Sequence, residues 1–171
     1  MPGFELIDNK EITAVNSIFK NGGVLFAHGF EKIRKNFHVR EFEKECANFF
    51  GAKYGLAVSS GTAAIKIALK ALGVKPGDEV ITQAFNFVAT VEAILECGAI
   101  PIISNIDETL NINPNEIEDL ITNRTKAILP VHMLGVSCDM NLINKIAKKN
   151  KLSVLEDNCE SIGGFYKEKY L

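Results

Sequence analysis

The 171 residues suffice for one ordinary domain with a core, and 47% hydrophobic against 23% charged residues is a globular balance. A formal charge of -2 argues against a general nucleic-acid binder, which carries a basic excess. No apolar run is long enough to span a bilayer, and Met1-Pro-Gly-Phe-Glu has no basic stretch leading into an apolar one, so a cytoplasmic location without membrane association is expected.

In chain order, Ile12, Val15 and Phe19 recur at helical spacing, and Gly22-Gly23 stops that helix. Residues 21–37 mix glycine, aromatic and basic residues and read as irregular. Val39, Phe42, Cys46, Phe49 and Phe50 line one face of a second helix that ends at Gly51. Leu56-Ala-Val58 reads as a short buried strand and Ser59-Ser-Gly-Thr62 as a turn. The next helix places Ile65, Ala68, Leu69 and Leu72 on its inner stripe, with Gly73 near its end. Pro76-Gly-Asp78 is a turn, residues 79–83 a strand, and Phe87 to Cys97 a helix closed by Gly98. Ile100 to Ile106 reads as a strand in which Pro101 suits the first residue.

Asn113-Pro114 with Glu116 has the marks of a helix start: a capping side chain, proline in the first turn and a carboxylate at the positive end. Residues 127–131 read as strand, although Pro130 removes a ladder bond. Asp139 caps a helix with Leu142, Ile143, Ile146 and Ala147 facing inward and lysines in its last turn. Leu152 to Leu155 is the last strand, and Glu156-Asp157 sit where it runs out. This alternation predicts an α/β fold with about five strands joined by parallel right-handed crossovers. Cys46, Cys97, Cys138 and Cys159 stand far apart, as do His28, His38 and His132, so reduced thiols and no metal site are expected.

In parallel sheets ligands gather beyond the carboxyl ends of the strands. Ser59-Ser-Gly-Thr-Ala-Ala64 falls at such a point, where small residues and free helix-start amides attract phosphate and the Ser60 and Thr62 hydroxyls add donors. The same residues also make an ordinary turn with a helix cap, and the segment is neither a Walker loop nor a dinucleotide fingerprint. A carboxylate of Glu156-Asp157 can point into the crevice, or the pair can be a solvated strand end or a cap for the next turn. Phe85 and Phe87 can stack on a flat ring or join the core. Together the three signals describe a pocket with a phosphate seat, an aromatic face and a carboxylate. Pyridoxal 5'-phosphate (PLP) has the matching phosphate, flat ring and pyridine nitrogen, and a carboxylate beside that nitrogen keeps it protonated.

Several motifs run in a specific order: Phe42-Glu-Lys to Phe49-Phe-Gly, Ala57-Val-Ser-Ser-Gly-Thr-Ala-Ala64, Pro76-Gly-Asp-Glu-Val80 and Phe87-Val-Ala-Thr90. Ile106-Asp107, Leu129-Pro-Val-His-Met-Leu-Gly135 and Glu156-Asp-Asn-Cys-Glu-Ser-Ile-Gly163 follow. From about Val39 to Tyr170 the chain thereby resembles the DegT/DnrJ/StrS family of sugar aminotransferases, within the fold-type-I PLP enzymes.

The resemblance implies a three-layer α/β/α fold with a mostly parallel sheet, here the N-terminal part of the large PLP-binding domain. Residues 1–37 would be an N-terminal helix and irregular segment, and 38–171 the α/β part. Gly61 and Thr62 match the residues that hold the cofactor phosphate, with the Ser60 hydroxyl beside them. Phe87 matches the ring-stacking aromatic and Asp157 the partner of the pyridine nitrogen. Glu160 stands where the family usually has Gln or His near the ring hydroxyl, and an acid there would be repelled by a ring phenolate unless one of the two is protonated.

The implied reaction moves an amine from glutamate or glutamine to a nucleotide-linked keto sugar, in a homodimer whose sites form at the subunit interface. Lys32 and Arg34 could then meet a nucleotide phosphate, against the alternative of a solvated basic loop. The family's Schiff-base lysine follows a Ser-Phe segment that this sequence does not contain, and Lys167 and Lys169 do not match it. The small C-terminal domain and the last strands of the sheet, which lie beside the Ala57 strand, are likewise expected to be missing. A fragment of a longer product, poorly soluble or inactive alone, is the expectation. Two alternatives stand beside transamination: a sugar dehydratase of the same family, with histidine replacing the lysine and an acidic Glu160, and a noncatalytic α/β module.

Overall fold

A computed structural model describes residues 4–171. The chain divides into a first compact unit, up to Ala57, and a second, Val58–Leu171. The boundary expected at 37/38 falls inside the first unit, because the second helix belongs there.

In the first unit, α1 spans Asn9–Lys20 and α2 spans His38–Phe49. Asp8 caps α1 by accepting from the Lys10 N–H, while the Glu11 carboxylate accepts the Asp8 N–H at 2.7 Å, a reciprocal capping box. The glycines end it as expected: Gly22 has φ 104, and a Cβ there would stand 2.6 Å from the Ile33 carbonyl. Residues 21–37 are irregular apart from turns. Arg34 organises them by donating to the Phe26 and Ala27 carbonyls and lying over the Phe37 ring at 4.3 Å. Its guanidinium is thus committed to its own loop and buried, which corrects both readings of it, phosphate ligand and solvated charge. Lys32 is exposed.

The strand expected at 56–58 does not form. A strand exists through its ladder partner, and no ladder in the described residues includes this segment. Leu56 is instead exposed, and the Ala57 N–H is taken by the Glu43 carboxylate at 2.9 Å.

The second unit is built on four parallel strands in the order β2-β1-β3-β4, namely Glu79–Gln83 (β1), Ile100–Ser104 (β2), Thr125–Leu129 (β3) and Ser153–Val154 (β4). Helix α3 (Gly61–Ala71) precedes β1, and α4 (Val88–Glu96), α5 (Ile117–Leu120) and α6 (Met140–Asn150) connect the successive strands. Two apolar layers flank the sheet. Val80 and Leu129 face Ile65, Leu69, Ala93 and Ile94 of α3 and α4. One residue along each strand, Ile81 and Ile128 face Ile117, Ile143 and Ile146 of α5 and α6. Strand periodicity therefore sorts the β1 and β3 side chains between two cores, and each fully buried Ile or Leu stabilises by about 1.5–3 kcal/mol. This is the expected three-layer α/β/α arrangement.

Local chemistry fixes the connections. Gly77 takes φ 86 in the turn before β1, and the Asp78 carboxylate accepts the Lys75 N–H. Pro101 is the second residue of β2, not the first, and is tolerated because β2 is an edge strand. Asn113 accepts the Asn115 N–H and Pro114 opens a turn, so the helix itself starts only at Ile117. Asp139 caps α6 through the Leu142 N–H as expected. The Tyr-Lys-x-Lys turn at 166–169 is the tip of a small hairpin whose strands, β5 (Phe165–Tyr166) and β6 (Lys169–Tyr170), were not foreseen in the sequence; Lys167 takes φ 56 there.

Pro130 stands just past β3, where its missing N–H costs no ladder bond. Pairing nevertheless continues beyond it. The Asp157 N–H donates to the Pro130 carbonyl at 2.9 Å, and the His132 N–H donates to the Asp157 carbonyl at 3.0 Å. Asp157 is thus held by the sheet's own ladder beyond the carboxyl end of β4.

Candidate functional site

The carboxyl ends of the strands open into a cleft of about 260 Å³ lined by Gly61, Thr62, Phe87, Thr90, Asp157 and Glu160, among others. Five of the six residues singled out in the sequence meet there. The sixth, Ser60, is the N-cap of α3, where its hydroxyl oxygen accepts the Ala63 N–H at 3.1 Å and its carbonyl accepts the Ala64 N–H. A helix leaves its first amides without internal partners. With Ala63 and Ala64 satisfied, the Gly61 and Thr62 amides remain for whatever enters the cleft. Gly61 also sits close to the 157–160 segment, since a Cβ on it would stand 3.2 Å from the Cys159 sulfur.

Phe87 is the N-cap residue of α4, and its ring is well exposed at the cleft rather than in the core. Phe85, the other aromatic considered, is half-exposed and does not line the cleft. Asp157 is buried, and both of its carboxylate oxygens are engaged: Oδ2 accepts the Thr90 hydroxyl at 3.3 Å and Oδ1 the Cys159 N–H at 3.1 Å. None of the ion pairs among the described residues involves it. The Cys159 thiol is pushed up to about 11 by desolvation and by the neighbouring Asp157 carboxylate, so it is a protonated, unreactive wall at neutral pH. The Glu160 carboxylate accepts the Leu134 N–H at 3.3 Å, which ties this acid to the loop after β3.

Sequence reasoning missed three supports of the site. Thr90 bonds Asp157 directly. His132, fully buried, accepts the Cys138 N–H on Nδ1 at 3.0 Å, so its Nε2–H donates to Glu156 at 3.2 Å, while its carbonyl accepts the Ser161 hydroxyl. Gln83 at the end of β1 accepts the Ile112 and Val131 N–H groups on one oxygen and so fixes two neighbouring loops. One signal was available for each: a polar residue on an apolar face must find a partner.

The DegT/DnrJ/EryC1/StrS aminotransferase family model matches residues 7–171, a longer stretch than the motifs alone suggested. The spore coat polysaccharide biosynthesis protein SpsC of Bacillus subtilis is 43% identical over 97% of this chain and 41% of its own length. UDP-2-acetamido-2-deoxy-3-oxo-D-glucuronate aminotransferase of Pseudomonas aeruginosa is 47% identical over 77% of this chain and 37% of its own. Among solved structures, the E. coli GDP-4-keto-6-deoxy-D-mannose-3-dehydratase with bound hydrated PLP superposes with a TM-score of 0.81 at 32% identity, covering 96% of this chain and 42% of that one. The chain thus spans about two fifths of the length of these proteins. The matched stretch takes in both units and every cleft residue, and the chain belongs to the DegT/DnrJ/EryC1/StrS aminotransferase family.

Proposed function

We propose that this chain is the cofactor-binding part of a PLP-dependent aminotransferase. It would transfer an amine from glutamate or glutamine to a nucleotide-linked keto sugar during surface polysaccharide or related glycan synthesis. One observation carries this reading: a single cleft gathers free helix-start amides, an open aromatic ring and a buried carboxylate without a cation. The donor set suits the cofactor. The Gly61 and Thr62 amides and the Ser60 hydroxyl would hold the phosphate, the Phe87 ring would lie on the heterocycle, and Asp157 would face its nitrogen. When bound, the group supplies an electron sink for the pair left by a departing carbon-bound proton.

The chain's own residues then have defined tasks. Asp157, its carboxylate oriented by the Thr90 hydroxyl and the Cys159 N–H, would keep a proton on the ring nitrogen. Phe87 covers one face and excludes water. Glu160, held at the rim by Leu134, faces whatever lies beyond the ring. No lysine lines the cleft among the described residues, so these residues bind and orient and do not form the covalent link. A homodimer in the cytoplasm accords with the family; no helix of the described residues is long and apolar enough to cross a membrane.

The test is spectroscopic. In a full-length protein that carries this segment together with its Schiff-base lysine, PLP should give a visible absorption band that shifts with glutamate and returns with a nucleotide-linked keto sugar. Such a protein that leaves PLP unchanged from its free spectrum refutes the proposal. The acidic Glu160 at the cleft favours a second reading, sugar dehydration. Product analysis separates the two, because dehydration removes a sugar hydroxyl and leaves no amine.

A further inference from the structure

We infer that Thr90 is a positioning residue, whose hydroxyl fixes the Asp157 carboxylate in the orientation that presents it to the cofactor's ring nitrogen. The inference rests on the proposed function of the cleft.

Thr90 lies in the first turn of α4, on the buried face that also carries Ala89, Ala93 and Ile94. A hydroxyl buried among such neighbours costs about 1–3 kcal/mol unless it is paired. A helical threonine usually satisfies itself on the carbonyl three or four residues back. Here the Phe87 carbonyl already accepts the Thr90 N–H at 3.1 Å, and the hydroxyl instead reaches a residue 67 positions away in sequence. Thr90 is 1% and Asp157 8% exposed, so water competes little for this bond.

The consequence is geometric. With Oδ2 on the Thr90 hydroxyl and Oδ1 on the Cys159 N–H, the carboxylate cannot rotate without losing both. Each oxygen keeps a second lone pair for the cleft. The same turn of α4 carries Phe87, three residues earlier, so one turn sets both the ring-covering aromatic and the orientation of the carboxylate. The titratable groups around Asp157 are the Cys159 thiol, Glu160, Glu156 and, across a backbone bond, His132. None of them is a permanent cation; the side-chain donors on the carboxylate are the Thr90 hydroxyl and, on the cleft wall, the weaker Cys159 thiol.

The experiment compares wild type with Thr90→Val, which keeps the shape without the hydroxyl, and Thr90→Ser, which keeps the hydroxyl. The probe is pyridoxamine 5'-phosphate, the amine form of the cofactor, which needs no covalent link; its affinity is measured, and melting temperature is recorded. Thr90→Val should bind about tenfold more weakly, as expected for loss of one hydrogen bond to a charged group. Thr90→Ser should match wild type. Undiminished binding by Thr90→Val, or no recovery with serine, overturns the inference. If Thr90→Val fails to fold, Thr90→Ala is tested in its place, and failure of both to fold shows a merely structural role and also overturns it. A wild-type protein that does not bind the probe refutes the reading of the cleft itself, whereas bound probe indifferent to Thr90→Val refutes the role of Thr90 alone.

Discussion

Glu79 at the amino end of β1 and Asp157 beyond the carboxyl end of β4 are buried carboxylates of one sheet, 1% and 8% exposed. Their surroundings differ in one respect. Glu79 is paired with the Arg124 guanidinium and also accepts the Thr122 and Thr125 hydroxyls. The Thr122 bond, with Arg124 behind it, holds its carboxyl below the usual carboxylate range against the opposing effect of burial. Asp157 has a hydroxyl and an amide but no cation. A saturated buried charge closes one end of the sheet, and an unsaturated one opens the other. The comparison shows how a sheet end becomes a site: its fixed acid is left one partner short.

The sharpest way to break this comparison is to neutralise each acid in turn. In a full-length protein that carries this segment together with its Schiff-base lysine, Asp157→Asn should reduce turnover by at least about 100-fold while the melting temperature holds, since a neutral amide cannot keep the ring nitrogen protonated. Retained activity would defeat that role. Glu79→Gln should do the reverse, leaving pyridoxamine phosphate affinity intact and destabilising the fold by about 1–3 kcal/mol, a drop of several degrees in a calorimetric scan.

Acid titration sharpens the contrast further. Because the native Glu79 value is lowered, its stabilisation is fully present above the unfolded carboxylate range, about 4.3, and disappears as pH falls through the lowered native value. Wild type should therefore lose stability more steeply than Glu79→Gln as pH falls below about 5, and parallel curves would contradict it.

A smaller effect tests the seat. Gly61→Ala places a methyl 3.2 Å from the Cys159 sulfur, and should weaken pyridoxamine phosphate binding about fivefold, or about 1 kcal/mol. Cys159→Ala in the same protein should restore most of the loss; no recovery would mean that the crowding lies elsewhere.

The sequence revealed most where one local rule decided the outcome. Gly77 and Asp78 made their turn, Asp139 capped its helix, and the segments at 79–83 and 127–129 became strands buried on both faces. It misled where the outcome depended on a distant partner. Leu56-Ala-Val58 has the composition of a strand but no ladder to join.

The site shows the same division. That Gly61, Thr62, Phe87, Asp157 and Glu160 come together in one cleft, with Ser60 as the cap of α3, follows the order of the motifs in the sequence. Thr90 and His132 were not legible, because their roles are bonds to residues remote in sequence. Arg34 looked like a free cation until its loop closed around it.

Pro101 bears on how this sheet can be extended. The Ile100 N–H points toward β1, bonding the Asp78 carbonyl, and the Ser104 carbonyl also points that way, toward the Ala84 N–H. Alternation therefore turns positions 101 and 103 outward. At one of the two outward positions of β2 there is no hydrogen to offer, so a foreign strand laid along that margin would meet a gap in its register. The molecule thereby carries a built-in guard against stacking through its β2 flank.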